Sequence, residues 1–271
     1  MKKWIVLLTC GLVGMGVAQA DLYYTGFETD EGWATGSLGT NPAEQPAGGS
    51  WDNTGVAQVQ DFNPNTGNYS VYFNSENTGN HTASFTPDSS YSGYSSLTIS
   101  YAAFLPAYPE PDGDGTVAMN NNHRLELVTD ATTLRLQFDN FDTAGNPGRQ
   151  RAYVQDGLGA GGENGVINQV WEPGEWMDIS FTLDFVNNTY SYAVDSPTQG
   201  LNSISDQVIG HNISQLNGVN LIHRDVADNT VEDARDLTMY ADDFSVVPEP
   251  STMALLGLAM LGLYARRRFR V

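Results

Sequence analysis

The segment from Trp176 to Val194 constrains the fold of this chain more than any other stretch. Apolar and polar side chains alternate without a break from residue 178 to residue 185, and the same alternation returns from Tyr190 onward, after the pair Asn187-Asn188. Side chains that alternate with a period of two lie on opposite faces of a β-strand, so one face packs on a core and the other meets water. We therefore expect a β-hairpin with its turn at Asn187-Asn188.

Alternating runs of the same kind recur along the chain, separated by residues that favour turns. Residues 124–128 and 134–138 form a second predicted hairpin, which turns near Asp130-Ala131. The spacing of an amphipathic helix is scarce. Many short strands with frequent turns predict an all-β fold, a two-sheet antiparallel β-sandwich.

The N-terminus has the composition of a secretory signal peptide. Lys2 and Lys3 precede an apolar core that runs from residue 4 to residue 17, and Ala18-Gln19-Ala20 has the small-x-small pattern of a signal peptidase site. Residues 1–20 are therefore predicted to be removed by signal peptidase during export, so that the mature chain begins at Asp21.

The C-terminus carries a second set of sorting features. Pro248 and Pro250 have no backbone N–H group and hold the preceding residues extended, so we expect Pro248-Glu249-Pro250 to be an exposed peptide that a protease can grip. An uncharged run from Met253 to Tyr264 follows and, with its flanking residues, approaches the lower limit for a transmembrane helix. The cationic stop after this run should remain on the cytoplasmic side. Its arginines are Arg266, Arg267, Arg268 and Arg270.

The order of these three parts resembles the PEP-CTERM sorting signal of Gram-negative bacteria. The resemblance implies export, transient anchoring in the inner membrane, cleavage near Pro-Glu-Pro by an exosortase, and release to the cell surface or an extracellular polymer matrix. An ordinary C-terminal anchor that is never cut is the alternative. The chain is thus divided into a signal peptide (1–20), a β-sandwich domain (21–247) and a sorting signal (248–271).

The region between the two signals is strongly acidic. Six of the 12 basic residues and one of the 32 acidic residues lie in the signals, which leaves six arginines against 31 carboxylates, a formal charge of −25. Nucleic acid and anionic membranes are poor partners for such a surface, whereas divalent cations are attracted to it. The only cysteine, Cys10, lies in the signal peptide, so the mature domain has no disulfide.

Two further resemblances concern the sandwich itself. Gly26-Phe27-Glu28 near the mature start and the stretch from Tyr240 to Val246 resemble the first and last strands of jelly-roll carbohydrate-binding modules. In those modules the two strands meet and hold a structural Ca²⁺, which implies Glu28, Asp242 and Asp243 as ligands here. Alternation along a strand would place Asp242 and Asp243 on opposite faces. The alternative is that all three are ordinary surface carboxylates.

The hairpin from Trp176 to Asp195 also resembles concanavalin-A-like, laminin-G-type sandwiches. Both that topology and the jelly roll are antiparallel sandwiches, and the sequence leaves the choice between them open.

Motifs for catalysis are scarce. The Glu-x-Asp-x-x-Glu run of sandwich glucanases and the Gly-x-Ser-x-Gly elbow of serine hydrolases do not occur, and the histidines show no metal spacing. We interpret His81, His123, His211 and His223 as surface or hydrogen-bonding residues. The sequence therefore predicts a non-catalytic protein, with an extracellular polysaccharide-active enzyme, a glycoside hydrolase or lyase, as the alternative.

Aromatic residues suggest how such a protein could bind sugar. Trp51 and Trp171 lie beside Gly- and Pro-rich loops, where we expect exposed rings that stack on pyranose faces. The sequence thus predicts an exported structural or adhesive protein of the cell surface or matrix that binds extracellular polysaccharide with support from calcium.

Overall fold

The computed structural model describes the sandwich region with several gaps. The described residues are 21–38, 47–54, 57–73, 79–104, 121–143, 146–157, 164–168, 172, 174–225 and 239–249. The signal peptide, Trp171, Pro250, the apolar run and the terminal arginines lie outside them. Within the described ranges no helix is long and apolar enough to cross a membrane.

The described chain is built almost wholly from β-strands. A single turn of 3-10 helix at Thr29–Glu31 follows the first strand. The strands are β1 Tyr23–Thr25, β2 Gly36–Ser37, β3 Gly49–Thr54, β4 Ala57–Gln60, β5 Ser70–Phe73, β6 Gly79–Pro87, β7 Tyr91–Ser92, β8 Ser96–Phe104, β9 Asn121–Thr129, β10 Thr133–Thr143, β11 Asn146–Asp156, β12 Asn164–Asn168, β13 Trp176–Asp184, β14 Thr189–Ser196, β15 Gly200–Val208, β16 Gln215–Asp225 and β17 Met239–Pro248.

The strands form two antiparallel sheets, which confirms the predicted sandwich. Sheet A has the order β15-β14-β13-β8-β17-β5-β4-β2, and β1 pairs with β17 beside this path. Sheet B has the order β12-β11-β10-β9-β16-β6-β3, and β7 pairs with β16. Many strands that are neighbours in a sheet are far apart in the sequence, as in other β-sandwiches.

Both predicted hairpins are present. β13 and β14 pair from Asp178 opposite Asp195 to Asp184 opposite Thr189. At the turn between them, the carboxylate of Asp184 accepts hydrogen bonds from the backbone N–H groups of Val186 and Asn187 at 2.9 and 2.8 Å. β9 and β10 pair across the second predicted turn. The alternation of polarity was therefore a sound guide to local structure.

A single core fills the space between the sheets, and one end of it is rich in aromatic rings. Trp51 belongs to this end: it is 2% exposed, its ring lies 4.9 Å from that of Phe244, and its indole N–H donates to the Tyr23 hydroxyl at 2.9 Å. The prediction of an exposed Trp51 is therefore wrong. The neighbouring glycines lie at the start of strand β3, and the phase of that strand directs the indole into the interior.

Candidate functional site

The outer face of sheet A carries an uninterrupted row of aromatic side chains. Trp176 pairs with Phe104, Phe104 pairs with Tyr240, and Tyr240 pairs with Tyr72, so the row crosses β13, β8, β17 and β5. We call these four residues the aromatic row. At a strand spacing of about 4.8 Å, the row is about 14 Å long.

The rings of the aromatic row touch one another in sequence. Centroid distances are 5.5 Å from Trp176 to Phe104, 5.9 Å from Phe104 to Tyr240 and 5.4 Å from Tyr240 to Tyr72. A fifth ring, Phe62, approaches Tyr240 at 6.0 Å from the loop between β4 and β5, and it is 66% exposed. Aromatic surface is thus present on the solvent side of the sheet, where alternation would ordinarily place polar groups.

A cleft of about 220 Å³ lies next to the aromatic row on the same face. Its walls include Asp178, Asp195 and Asp243, together with Ser100 and Ser180. Asp178 lies two residues along β13 from Trp176, so the cleft begins about 7 Å from the row. None of the described residues that line it carries a positive charge. We call it the acidic cleft.

The carboxylates of the acidic cleft repel one another electrostatically. Partial burial raises the pKa of Asp178, and the charges of Asp195 and Asp243 raise it further. Asp178 and Asp195 are direct cross-strand partners. A ligand that donates hydrogen bonds or carries positive charge relieves this repulsion, whereas a polyanion adds to it.

The predicted calcium ligands hold a loop. Glu28 Oε1 accepts the backbone N–H groups of Asn68 and Tyr69 at 2.7 and 3.1 Å. Both residues end the loop between β4 and β5, residues 61–69. Gly67 allows the close approach: its φ is +62°, and a Cβ atom there would lie 2.1 Å from Glu28 Oε1.

Asp242 and Asp243 hold the same loop from the other side. Asp242 Oδ2 accepts the backbone N–H groups of Asn65 and Thr66 at 2.9 and 3.2 Å. Asp243 accepts from the side chains of the same two residues, at 3.1 Å from Asn65 Nδ2 and 2.8 Å from Thr66 Oγ1. We call Glu28, Asp242 and Asp243 the loop clamp.

The structure corrects the prediction that Asp242 and Asp243 face opposite ways. Asp243 has a φ of 51°, and the pairing of β17 with β8 shifts register between Asp242 and Ser245. This bulge breaks the alternation, so both carboxylates reach Asn65 and Thr66. The sequence signal for it is weak, although Asp tolerates left-handed geometry better than most residues.

The loop clamp does not fit a calcium site. Among the residues that the structure describes, no three His, Cys, Asp or Glu side chains form a group that could hold a metal ion. Both hydrogen bonds to Asp242 Oδ2 come from backbone N–H groups, which present positive charge where a cation would lie. Burial, together with the charge of Asp243, raises the pKa of Asp242 to about 7 despite these hydrogen bonds. Calcium binding remains a prediction of the sequence.

Three histidines meet inside the sandwich, which the sequence analysis missed. His223 pairs with His81 on one side and with His123 on the other, and all three are at most 3% exposed. They lie on three strands that are distant in sequence, so their spacing along the chain gave no signal. His211, by contrast, is exposed.

His123 is held as a neutral imidazole. Its Nδ1 donates to the carbonyl of Ile222 at 3.1 Å, because a carbonyl only accepts, and its Nε2 therefore accepts from the Tyr101 hydroxyl at 2.6 Å. Burial, followed by the neighbouring His223, lowers the pKa of His123 to about 3. The ring is enclosed in the core, so we assign it a structural role.

The sorting peptide begins inside the sandwich. Pro248 is the buried last residue of β17, opposite Leu97, and the Glu249 N–H group donates to the Ser96 carbonyl at 3.2 Å. The expectation of a fully exposed Pro248-Glu249-Pro250 is therefore wrong for Pro248, because strand pairing continues one residue past the predicted domain boundary. Glu249 itself is exposed.

One protein-family model matches the C-terminal part of the chain. The model of the PEP-CTERM protein-sorting motif matches residues 246–268. This signal implies export across the inner membrane, transient anchoring by the C-terminal tail and processing by an exosortase. The comparison with curated proteins finds no match.

Solved structures with a similar fold include several lectins. Lectin II from Ulex europaeus has a TM-score of 0.50 and 12% identity, covering 84% of this chain and 99% of its own. Basic winged bean lectin, solved with Tn-antigen, has a TM-score of 0.51 and 10% identity with the same coverage. A marine PL-14 alginate lyase from Aplysia kurodai has a TM-score of 0.51 and 11% identity over 73% of this chain and 89% of its own. Identities this low establish only the fold. The chain therefore carries a PEP-CTERM protein-sorting motif, and its body is a two-sheet antiparallel β-sandwich whose fold resembles that of lectins.

Proposed function

We propose that this protein binds extracellular polysaccharide through the outer face of sheet A after its export. The observation that carries the proposal is the aromatic row with Phe62 beside it on the outer face of a sheet: Phe62 is 66% exposed, Trp176, Phe104 and Tyr72 are half-buried, and Tyr240 between them is 5% exposed. The row length of about 14 Å suits a short stretch of an extended sugar chain.

The two parts of the site have complementary chemistry. The C–H faces of pyranose rings pack on aromatic side chains, which offer large rigid surfaces at low entropic cost. The aspartates and serines of the acidic cleft can accept and donate hydrogen bonds to sugar hydroxyls. A few convergent polar groups next to apolar surface are the usual composition of a ligand site.

The negative charge of the site disfavours acidic polysaccharides as ligands. Asp178, Asp195 and Asp243 lie in a domain that carries a formal charge of −25, and the cleft has no described cationic side chain in its walls. A polyuronate would place its carboxylates against these groups. We therefore propose neutral or amino-sugar polysaccharides as ligands.

The loop clamp gives the predicted calcium residues a role in this site. By holding residues 61–69, Glu28, Asp242 and Asp243 fix the loop that carries Phe62. Ser70 adds a further contact, because its hydroxyl donates to the Phe62 carbonyl at 3.0 Å. A preorganised loop lowers the entropy lost on binding.

A glycan array with residues 21–249, followed by titration calorimetry, tests the proposal. Phe62→Ala should raise the Kd at least about tenfold, or ~1.4 kcal/mol, without loss of stability because the ring is 66% exposed. Val208→Ala, at a side chain 79% exposed on the edge strand of the same sheet, is the matched control and should bind as the wild type does. No binding to any neutral or amino sugar, or equal affinity for Phe62→Ala, would refute the assignment.

The sorting motif supports a proposal for the destination of the protein. We propose that signal peptidase removes residues 1–20, that an exosortase releases the sandwich from the inner membrane, and that the product stays at the cell surface or in the polymer matrix as an adhesive component. Tracking the sandwich with an antibody in membrane, surface and matrix fractions tests this route. Full-length chain in the cytoplasm would contradict it.

A polysaccharide-active enzyme is the second candidate. The pair Asp178 and Asp195 favours it, because cross-strand partners have Cβ atoms about 4.5–5.5 Å apart and the pKa of Asp178 is raised. Release of reducing ends or unsaturated products from the polymers that bind, abolished by Asp178→Asn, would establish this activity. We propose binding without turnover.

A further inference from the structure

The short strand β1 adds an exposed aromatic ring to the outer face of sheet A. Tyr24 is its middle residue, and its two neighbours, Tyr23 and Thr25, are buried. The ring of Tyr24 is 47% exposed, and its backbone pairs with Ser245 of β17. Because successive side chains of a strand point to opposite faces, burial of Tyr23 and Thr25 in the core places Tyr24 on the outer face.

The strand register places Tyr24 beside the acidic cleft. Ser245 pairs in turn with Ser100 of β8, and Ser100 belongs to the walls of the cleft. Phe104 of the aromatic row lies four residues further along β8, about 13 Å away. Aromatic surface is therefore present at two borders of the cleft, at the aromatic row and at Tyr24.

The hydroxyl of Tyr24 is held by a carboxylate of the cleft. It donates to Asp243 Oδ1 at 3.1 Å. Partial burial, followed by the charge of Asp243, raises the pKa of Tyr24 to about 12, so the proton that makes this hydrogen bond is retained. Gly26 leaves room for the contact, because a Cβ atom at residue 26 would lie only 3.2 Å from the Tyr24 oxygen. The ring is thus exposed and also fixed in position.

Asp243 joins this ring to the loop that carries Phe62. Its Oδ1 atom also accepts the hydroxyl of Thr66 at 2.8 Å, and its Oδ2 atom accepts the side-chain amide of Asn65 at 3.1 Å. One carboxylate therefore holds both Tyr24 and the loop of Phe62. Rings that are held in place before binding lose little entropy when a sugar packs on them.

We propose that Tyr24 forms a second sugar subsite and that a bound chain crosses the acidic cleft from the aromatic row to Tyr24. The sugar units between the two subsites lie over Asp243, whose carboxylate accepts hydrogen bonds from hydroxyl or amino groups. This inference rests on the proposed function and adds the direction of the chain. It also requires an oligosaccharide, since about 13 Å of strand separates the two subsites. A chain that followed only the aromatic row would not touch Tyr24.

Ligand length separates the two subsites. The full chain is purified in a detergent without a sugar headgroup, and its Kd values for a glucosamine dimer and a glucosamine hexamer are measured by NMR titration. We expect Tyr24→Ala to raise the Kd of the hexamer at least about fivefold and to leave that of the dimer unchanged, because a dimer on the aromatic row does not reach Tyr24. Phe62→Ala should weaken the binding of both ligands. Val208→Ala, at a side chain 79% exposed on the edge strand β15, is the control and should weaken neither.

The same titrations distinguish failure of the second subsite from failure of the whole site. Tyr24→Phe keeps the ring but cannot donate to Asp243, and we expect it to bind the hexamer more tightly than Tyr24→Ala does. Equal hexamer affinity for Tyr24→Ala and the wild type would overturn the second subsite and leave the aromatic row in place. An equal loss for the dimer and the hexamer would overturn it as well, because the effect of Tyr24 would not depend on ligand length. A wild type that binds neither ligand would refute the proposed function and this inference with it.

Discussion

Acidification should destabilise the sandwich through His123, and the size of the effect follows from its surroundings. The folded protein holds the pKa of this imidazole at about 3, against an ordinary value of 6.5. Below pH 6.5 the His123 side chain is therefore protonated in the unfolded chain and stays neutral in the folded chain. The free energy of unfolding consequently decreases as the pH is lowered. The loss is about 2 kcal/mol between pH 7 and pH 5.

A matched variant isolates this contribution. His123→Gln keeps a side chain that can hydrogen-bond to Tyr101 but cannot titrate, so other groups affect both proteins equally. Urea unfolding of residues 21–249 at pH 7, 6 and 5, followed by the fluorescence of the buried tryptophans, gives the two stability curves. We expect the wild type to lose about 2 kcal/mol more than the variant across this range. Parallel curves would show that His123 takes up its proton in the folded state as readily as in the unfolded chain, which would refute the reasoning.

Three further predictions concern the core and the loop clamp. The effect of Asp242 on the pH dependence of stability should be opposite to that of His123. Because the pKa of Asp242 is raised from 3.8 to about 7 in the folded protein, its contribution to the free energy of unfolding is present below pH 3.8 and is lost as the pH rises through 7. Relative to Asp242→Asn, the wild type should thus gain about 2 kcal/mol when pH is lowered from 7 to 5, and equal pH dependence would contradict this. Trp51→Ala should lower stability by about 3–5 kcal/mol in thermal unfolding followed by circular dichroism, since the indole is enclosed, and a loss below 1 kcal/mol would place it at the surface. EDTA should leave the melting temperature unchanged if hydrogen bonds alone hold the loop, and a fall that Glu28→Ala abolishes would restore the calcium hypothesis.

The strand pattern was readable from the sequence because alternation depends only on neighbouring residues. The hairpins at Asn187-Asn188 and Asp130-Ala131 are local, and each has clear polarity on both sides of a turn. The sorting signal was equally readable, since its three parts follow one another along the chain.

Features that depend on the pairing of strands distant in sequence could not be predicted from the sequence. The histidine cluster joins β6, β9 and β16, and only the strand order places His81, His123 and His223 side by side. The aromatic row has the same origin, although one clue was present: Trp176 and Phe104 occupy the polar phase of their strands. The prediction of an exposed Trp51 failed because its glycine-rich neighbours suggested a loop. Trp51 lies instead on a strand that directs its ring into the core.

An NMR titration of the tryptophan indole N–H signals of residues 21–249 with a glucosamine hexamer, and with an oligouronate of equal length as the control, tests whether sugar binds at the aromatic row. We expect the Trp176 signal to shift with the hexamer, the buried Trp33 and Trp51 signals to remain in place, and the oligouronate to have no effect. A Trp176 signal that does not respond to the hexamer while Trp33 or Trp51 does, or an equal response to both sugars, would contradict this expectation.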